Sequence, residues 1–317
     1  MDLVSIIIPI HNEEKYIKRC LNSVINQSYV NLDILLIIDK SKDLSLEICN
    51  EYKAKDSRIR VYSVDHGVSA LARNYGIENS KGLYITFIDA DDYVDKDYIK
   101  ELYDALIQNN CLVSMCDFIQ IEDKKVIDKS HYGNKKTISS QRLMTDTMYN
   151  KVVGGLGCGK LWHKDLIKCH FREYRYCEDV CFCVENLCEK DVSIAYAQKI
   201  LYYYIVNKNS VTSRKEVKDL NDTLNVAECI LQFAKDGHDE YRDPARALCL
   251  NYAFFAYLNA NKSDDDSIRL RKRCLNWIKK LRASVLFNPK SSLKTKAACL
   301  ISFISMKIVS GVYHIKK

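Results

Sequence analysis

Three carboxylates fall within four residues at Asp89, Asp91 and Asp92, directly after the run Tyr84-Ile85-Thr86-Phe87-Ile88. That run is rich in β-branched and aromatic residues and predicts a short buried strand. An isolated ionised carboxylate in apolar surroundings is heavily penalised, so the three acids are expected to face water or a cation. Clustered carboxylates with retained waters suit Mg²⁺ or Mn²⁺. The carboxyl end of a buried strand is also where open α/β sheets place their ligands. A solvated acidic turn entering a helix N-terminus accounts for the same residues, and on this stretch alone both readings stand. A second acid pair, Glu178-Asp179, falls in the first turn of a helix predicted over Tyr174–Leu187, where acids complement the dipole.

The elements that must position these residues alternate. Val4–Pro9 reads as a strand buried on both faces. A helix over Lys15–Asn26 follows, with Ile17, Cys20, Leu21, Val24 and Ile25 in helical periodicity and Asn12 as its N-cap. Asp33–Asp39 is a second buried strand ending in an acid. It is followed by a helix over Ser41–Tyr52, a strand over Ile59–Val64, and a helix carrying Arg73 and Asn74 after the turn at Gly67. Such alternation implies βαβ units and a parallel sheet. Beyond it come a helix over Tyr98–Asn109, a strand over Cys111–Ile121 with a charged turn after it, and a helix over Gln141–Tyr149. Val153–Lys160 holds four of the chain's 10 glycines, so backbone must bend or approach something closely there. Order resumes over Leu161–Ile167, and a last strand over Ser193–Tyr204 ends in three tyrosines. After about residue 215 the pattern is helical: Leu220–Lys235, Pro244–Asn259 and Ser267–Leu281.

The chain has 317 residues, 47% of them hydrophobic, and a formal charge of +7. That composition excludes a disordered chain. The charge excess is too small to imply nucleic-acid binding and suits an anionic substrate or membrane surface. No Gly-x-Gly-x-x-Gly or P-loop follows any strand, which excludes the usual dinucleotide and P-loop sites. The 14 cysteines form no Cys-x-x-Cys pair, and no export signal opens the chain, so reduced thiols in a cytosol are expected. Cys177, Cys181, Cys183 and Cys188 near His170 read as small packing residues rather than a zinc site. No run of 18 or more uncharged apolar residues predicts a transmembrane helix.

The segments Ser5–Glu14, Ser23–Gln27, Asp39–Ser45, Gly67–Ile77, Phe87–Tyr93 and Tyr176–Phe182 occur together and in this order. In this the first ~210 residues resemble inverting glycosyltransferases of family 2. The resemblance implies a GT-A fold, a Rossmann-like nucleotide-binding sheet flanked by helices, over residues 1–213. A helical region over 214–317 would follow. It also implies roles: Pro9, His11, Asn12, Glu13, Asp39, Ser41, Arg73, Asp89, Ala90, Lys160 and Trp162 against a nucleotide sugar. Asp39 would accept from a uracil ring N–H, and Arg73 would serve the base or a phosphate. Asp91 with Asp89 would hold Mn²⁺ or Mg²⁺. Lys160 would meet the diphosphate or acceptor, and Trp162 would stack on a sugar ring or fill the core. Asp179 matches the general base, with Glu178 as the alternative. Ile38, Lys40, Ile205 and Asn207 depart from the family pattern, in which an acid, a glycine and a late basic pair are usual. Ser210-Val211-Thr212 matches it.

The implied activity is metal-dependent transfer of a hexosyl or N-acetylhexosaminyl group from a UDP-sugar to a hydroxyl of a lipid-linked glycan. This belongs to capsule, lipopolysaccharide or exopolysaccharide synthesis, in the cytoplasm or at the inner face of a membrane. Residues 290–317 alternate lysines with apolar residues, as an interfacial helix on an anionic leaflet or a last core helix would. Two rivals remain. A polyprenyl-phosphate glycosyltransferase needs no base, which Glu178-Asp179 opposes. A non-catalytic sugar-nucleotide-binding scaffold is opposed by the acids at 89, 91 and 179.

Overall fold

A computed structural model of the chain describes residues 1–207, 216–261 and 264–315, with side chains through residue 311. Ser210-Val211-Thr212 therefore lies outside the described residues. Two compact units appear: Met1–Leu143 with Gly155–Lys208, and Met144–Gly154 with Asn209–Lys317.

The first unit is built on one sheet. Its strands are β1 (Val4–Ile10), β2 (Leu32–Asp39), β3 (Ile59–Val64), β4 (Tyr84–Phe87), β5 (Tyr93–Val94), β6 (Val113–Glu122), β7 (Lys125–Lys129), β8 (Thr137–Ser139), β9 (Lys160–His163) and β10 (Ser193–Ile205). The order is β3-β2-β1-β4-β9-β6-β10-β5, with β7 beside β6 and β8 beside β10. β3, β2, β1 and β4 run parallel, while β9 pairs antiparallel with both β4 and β6. The alternating sequence thus forms the expected parallel sheet from β3 to β4, but β5, β7, β8 and β9 join antiparallel and make the sheet as a whole mixed. Val4, Ile6, Ile7, Ile8 and Ile10 of β1 are all within 1% of complete burial. Each contributes about 1.5–3 kcal/mol by leaving water, which makes β1 the anchor of the sheet.

Helices α1 (Ile17–Ile25), α2 (Ser45–Lys55), α3 (Ser69–Asn79), α4 (Tyr98–Gln108), α5 (Ser140–Met148) and α6 (Glu178–Leu187) follow their strands. α1 buries Ile17, Cys20, Leu21 and Val24, the face its periodicity marks. Its N-cap is Tyr16, not Asn12. Asn12 instead adopts a left-handed backbone (φ 58°), and its side-chain oxygen accepts from the Lys42 N–H at 2.7 Å. α6 begins at Glu178 rather than at Tyr174, because Cys177 is left-handed (φ 61°) and breaks the helix there, and Glu178 and Asp179 stand in its first turn as expected. The charged turn after β6 is a hairpin: Asp123 and Lys124 both take positive φ and return the chain as the exposed strand β7.

The second unit holds α7 (Val217–Phe233), α8 (Arg242–Asn259), α9 (Asp265–Phe287), α10 (Leu293–Ile304) and α11 (Met306–Ile315). The helical tail is divided after Phe287 and after Ile304, where Asn288 and Ser305 take extended backbone. Among the described residues no helix is long and apolar enough to cross a membrane.

α3 approaches β1 closely at Gly76, where an added Cβ would lie 2.4 Å from Ile7 Cγ2. Alanine normally gains about 1 kcal/mol over glycine in a helix, but overpacking a core costs about 1–3 kcal/mol. Gly76→Ala is therefore expected to lower stability by up to about 2 kcal/mol, read as a lower denaturant midpoint at unchanged slope.

Candidate active site

The carboxyl ends of β1, β2 and β4 meet at one edge of the sheet, where the chain runs from β1 to one side and β4 lies on the other. Such a switch point leaves a crevice between diverging loops. His11–Glu13 leave β1, Asp39–Ser41 leave β2, and Asp89–Asp92 leave β4.

Arg73 organises this edge. Its guanidinium donates to Asp89 Oδ1 at 2.7 Å and to Glu178 Oε1 at 2.7 Å, and lies 3.7 Å from Asp179 Oδ1. Burial opposes the charge, but Asp89, Asp179 and Glu178 together hold the guanidinium firmly protonated. Phe171 lies under it, 5.4 Å from ring centroid to guanidinium carbon. Asn74 fixes that floor, donating to Phe171 O at 2.7 Å and accepting from Phe171 N at 2.8 Å.

The two acids that open α6 are held differently. Glu178 is buried and accepts from Arg73 and from Ser69 Oγ at 3.1 Å. Asp179 accepts from Gly157 N at 3.0 Å through Oδ2, while Oδ1 is buried with no hydrogen bond among the described residues. Burial pushes its carboxyl up to about 6, with Arg73 opposing and Glu178 and Asp89 adding. A carboxyl near 6 is mostly ionised at neutral pH, and its Oδ1, without a hydrogen bond among the described residues, can accept a proton there.

The acids after β4 divide. Asp92 does not face water as its spacing suggested. It is 1% exposed and accepts from Tyr202 Oη and from Ile205 N, each at 2.7 Å. Burial, Asp91 and Asp89 raise its carboxyl far above the usual range. Tyr202 Oη also accepts from Asp89 N at 3.2 Å, so β10 ties down both ends of the turn. Asp91 makes no ion pair among the described residues, and its backbone carbonyl accepts from Arg19 at 2.6 Å. Burial and Asp89 push the Asp91 carboxyl up to about 6. Glu13 joins the same field: burial, then Asp91, Asp89 and Asp43, push it up to about 8.

Among the described residues no three His, Cys, Asp or Glu side chains are placed to cage a metal. Asp89 and Asp91 nonetheless fit Mg²⁺ or Mn²⁺. They are hard oxygen donors, they carry surplus negative charge, and such ions retain waters and substrate phosphates as further ligands.

Other sequence-marked residues serve the scaffold. The Asp39 carboxylate accepts from the N–H groups of His66, Gly67 and Val68 in four contacts of 2.7–3.1 Å. Three backbone donors of the loop leading into α3 thus already engage this carboxylate. Lys160 is also redirected: it is 3% exposed, and Nζ donates to Leu156 O at 2.5 Å. Trp162 is fully buried and packs on Phe182, so it fills the core. His11 Nδ1 bonds Asp39 O at 2.6 Å, and Ser41 Oγ accepts from Asn12 N at 3.1 Å, stitching β1 to β2. Pro9 is half-buried in β1, paired with Ile37, and Ala90 is buried beside Asp89. Lys40 has φ 50° and pairs with the exposed Asp65, so the left-handed bend persists without glycine. Cys181, Cys183 and Cys188 are buried. Tyr202, Ser69 and Arg19 escaped the sequence reading because only their contacts distinguish them, while Gly157 belongs to the glycine-rich segment expected to approach something closely, here Asp179.

The profile of "Glycosyl transferase family 2" matches residues 5–171. Glycosyltransferase GlyA of Streptococcus pneumoniae is 30% identical over 151 residues, 48% of this chain, which spans only 20% of that relative's length. EpsH of Bacillus subtilis is 26% identical over 270 residues, covering 82% of this chain and 78% of its own. A crystal structure of S. aureus TarS 1-349 in complex with UDP-GlcNAc superposes with a TM-score of 0.70 at 19% identity, covering 96% of this chain and 91% of that one. This last likeness identifies the GT-A fold. With the family profile spanning more than half its length, the chain belongs to glycosyltransferase family 2.

Proposed function

We propose that this glycosyltransferase moves a hexosyl or N-acetylhexosaminyl group from a UDP-sugar to a hydroxyl of a lipid-linked glycan, inverting the anomeric carbon. Polysaccharide synthesis at the cytoplasmic face of a membrane is the setting this implies. The reading is supported by one observation: among the described residues the buried Oδ1 of Asp179 has no hydrogen bond, although Arg73 ties Asp89 beside it. A UDP-sugar is favoured because the TarS structure of the same fold holds UDP-GlcNAc.

Asp179 takes the proton from the acceptor hydroxyl as that oxygen attacks the anomeric carbon from the face opposite the nucleotide. One base suffices for a single displacement. Glu178, engaged by Arg73 and Ser69, holds the guanidinium in place rather than accepting the proton. Arg73 holds Asp89 in place through the 2.7 Å contact. Asp91 with Asp89 would hold Mn²⁺ or Mg²⁺, which supplies charge neutralisation on the departing diphosphate. Asp39 contributes by shaping the His66–Val68 loop at the rim of the crevice. Glu178-Asp179 favours a hydroxyl over a phosphate acceptor, since a phosphate needs no deprotonation.

Asp179→Asn is expected to lower kcat by about 10²–10⁴ while donor affinity is kept. Glu178→Gln should instead weaken stability and donor binding together. The assignment is lost if Glu178→Gln abolishes turnover and Asp179→Asn spares it. Protonation removes the base, so kcat/KM should fall about tenfold per pH unit below the Asp179 value of about 6.

Hydrolysis of a panel of UDP- and GDP-sugars tests the donor site directly. Release of one nucleotide is expected with Mn²⁺, none with EDTA, and none from Asp91→Ala. Donor binding without turnover and unchanged by EDTA would sink the metal-dependent reading. Tyr202→Phe removes the hydroxyl that joins Asp89 N to Asp92. It should raise the Mn²⁺ concentration needed for half-maximal rate several-fold, and an unchanged metal requirement would make this contact merely structural.

A further inference from the structure

Helix α10 presents its apolar stripe outward. Leu293, Leu300 and Ile304 are 85%, 56% and 79% exposed, and Ala297 is exposed between them. Spacings of four, three and four residues place all four on one face. The opposite face carries Cys299 and Ser302, which are buried. A helix packed on a core turns its apolar stripe inward, so α10 is inverted relative to that rule. Phe287 before it is 82% exposed, and Ile308 after it is 48% exposed.

Charge surrounds this stripe asymmetrically. Lys294 and Lys296 project about a quarter-turn to either side of it. From Ser267 to Lys317 the chain has 13 lysines and arginines and no Asp or Glu, although its total charge is only +7. The remainder of the chain is therefore net acidic.

We infer that α10, with Phe287 and Ile308 beside it, docks in the plane of an anionic lipid surface. Apolar side chains flanked by lysines meet both layers of such a surface, the acyl boundary and the negative headgroups. The helix has 12 residues, about 18 Å of rise against a hydrocarbon core of about 30 Å, so it lies on the membrane and does not span it. A second copy of the chain fits poorly. An isologous contact would set lysines against lysines, with no acid in the segment to pair them. What this docking would be for rests on the lipid-linked acceptor reading, but the binding itself does not.

The test uses the full chain and vesicles of phosphatidylcholine with about a third phosphatidylglycerol, at ionic strength about 0.1 M. Sedimentation is expected to carry about tenfold more protein with these vesicles than with phosphatidylcholine alone. Leu300→Asp with Ile304→Asp should reduce partition about tenfold or more. Lys294→Ala and Lys296→Ala should each reduce it on the order of fivefold. Leu300, Ile304 and Lys294 are exposed and Lys296 is half-buried, and both sets of substitutions should leave vesicle-free donor hydrolysis unchanged. Equal partition onto neutral and anionic vesicles, or undiminished binding of the aspartate variant, would overturn the inference. So would a wild-type dimer that the aspartate variant converts to monomer. Vesicle binding and donor hydrolysis are separate readouts, so failure of one is not failure of the other.

Discussion

One buried cation holds the candidate site together. Arg73 comes from α3, its carboxylate partners from the loop after β4 and the start of α6, and Glu178 is 105 positions away in sequence. A guanidinium that is 7% exposed would be costly alone, and three carboxylates packed together would repel one another. Each removes the other's penalty. Because Asp89 and Glu178 take the two short contacts, Asp179 is left at 3.7 Å with an unengaged oxygen. The difference between the acid that accepts from Arg73 and the one proposed as base thus arises from which carboxylate the fork of one arginine reaches.

The same logic divides the three aspartates after β4. Asp92 is drawn inward because β10 offers it a phenol and a backbone N–H, and it becomes part of the frame. Asp89 is held from the side by Arg73. Asp91 has no cation of its own among the described residues and lies in the field of Asp89, with Glu13 across from it. Excess negative charge at a strand end is a destabilising feature unless something positive binds. That accords with the divalent ion proposed for this strand end.

The second unit poses the opposite problem, an exposed apolar stripe among uncompensated lysines. On a freely soluble surface this arrangement loses hydrophobic burial with no return. At a lipid boundary the apolar atoms and the cations are both accommodated. Local sequence alone dictates the stripe, since it depends only on spacing along one helix, while its outward orientation depends on what Cys299 and Ser302 pack against.

Much of the fold was legible because hydrophobic periodicity is local: the buried runs of β1 and β2 and the apolar face of α1 are readable residue by residue. The six family-like segments carried the family and the GT-A sheet. Local pattern misplaced the start of α6, because a left-handed Cys177 has no sequence signature, and it missed the exposed hairpin strand β7. The functional meaning of individual polar residues was less accessible. Asp39, Lys160 and Trp162 have the chemistry to meet a ligand, yet the tertiary structure gives Asp39 to a neighbouring loop and Lys160 to the Leu156 carbonyl, and it places Trp162 in the core. Sequence alone determined which acids, bases and apolar runs exist and the order in which strands and helices follow. Only the tertiary structure decided which acid pairs with Arg73, which is buried against Tyr202 and which keeps an unengaged oxygen. Those outcomes depend on contacts between segments far apart in the chain, and no local pattern encodes them.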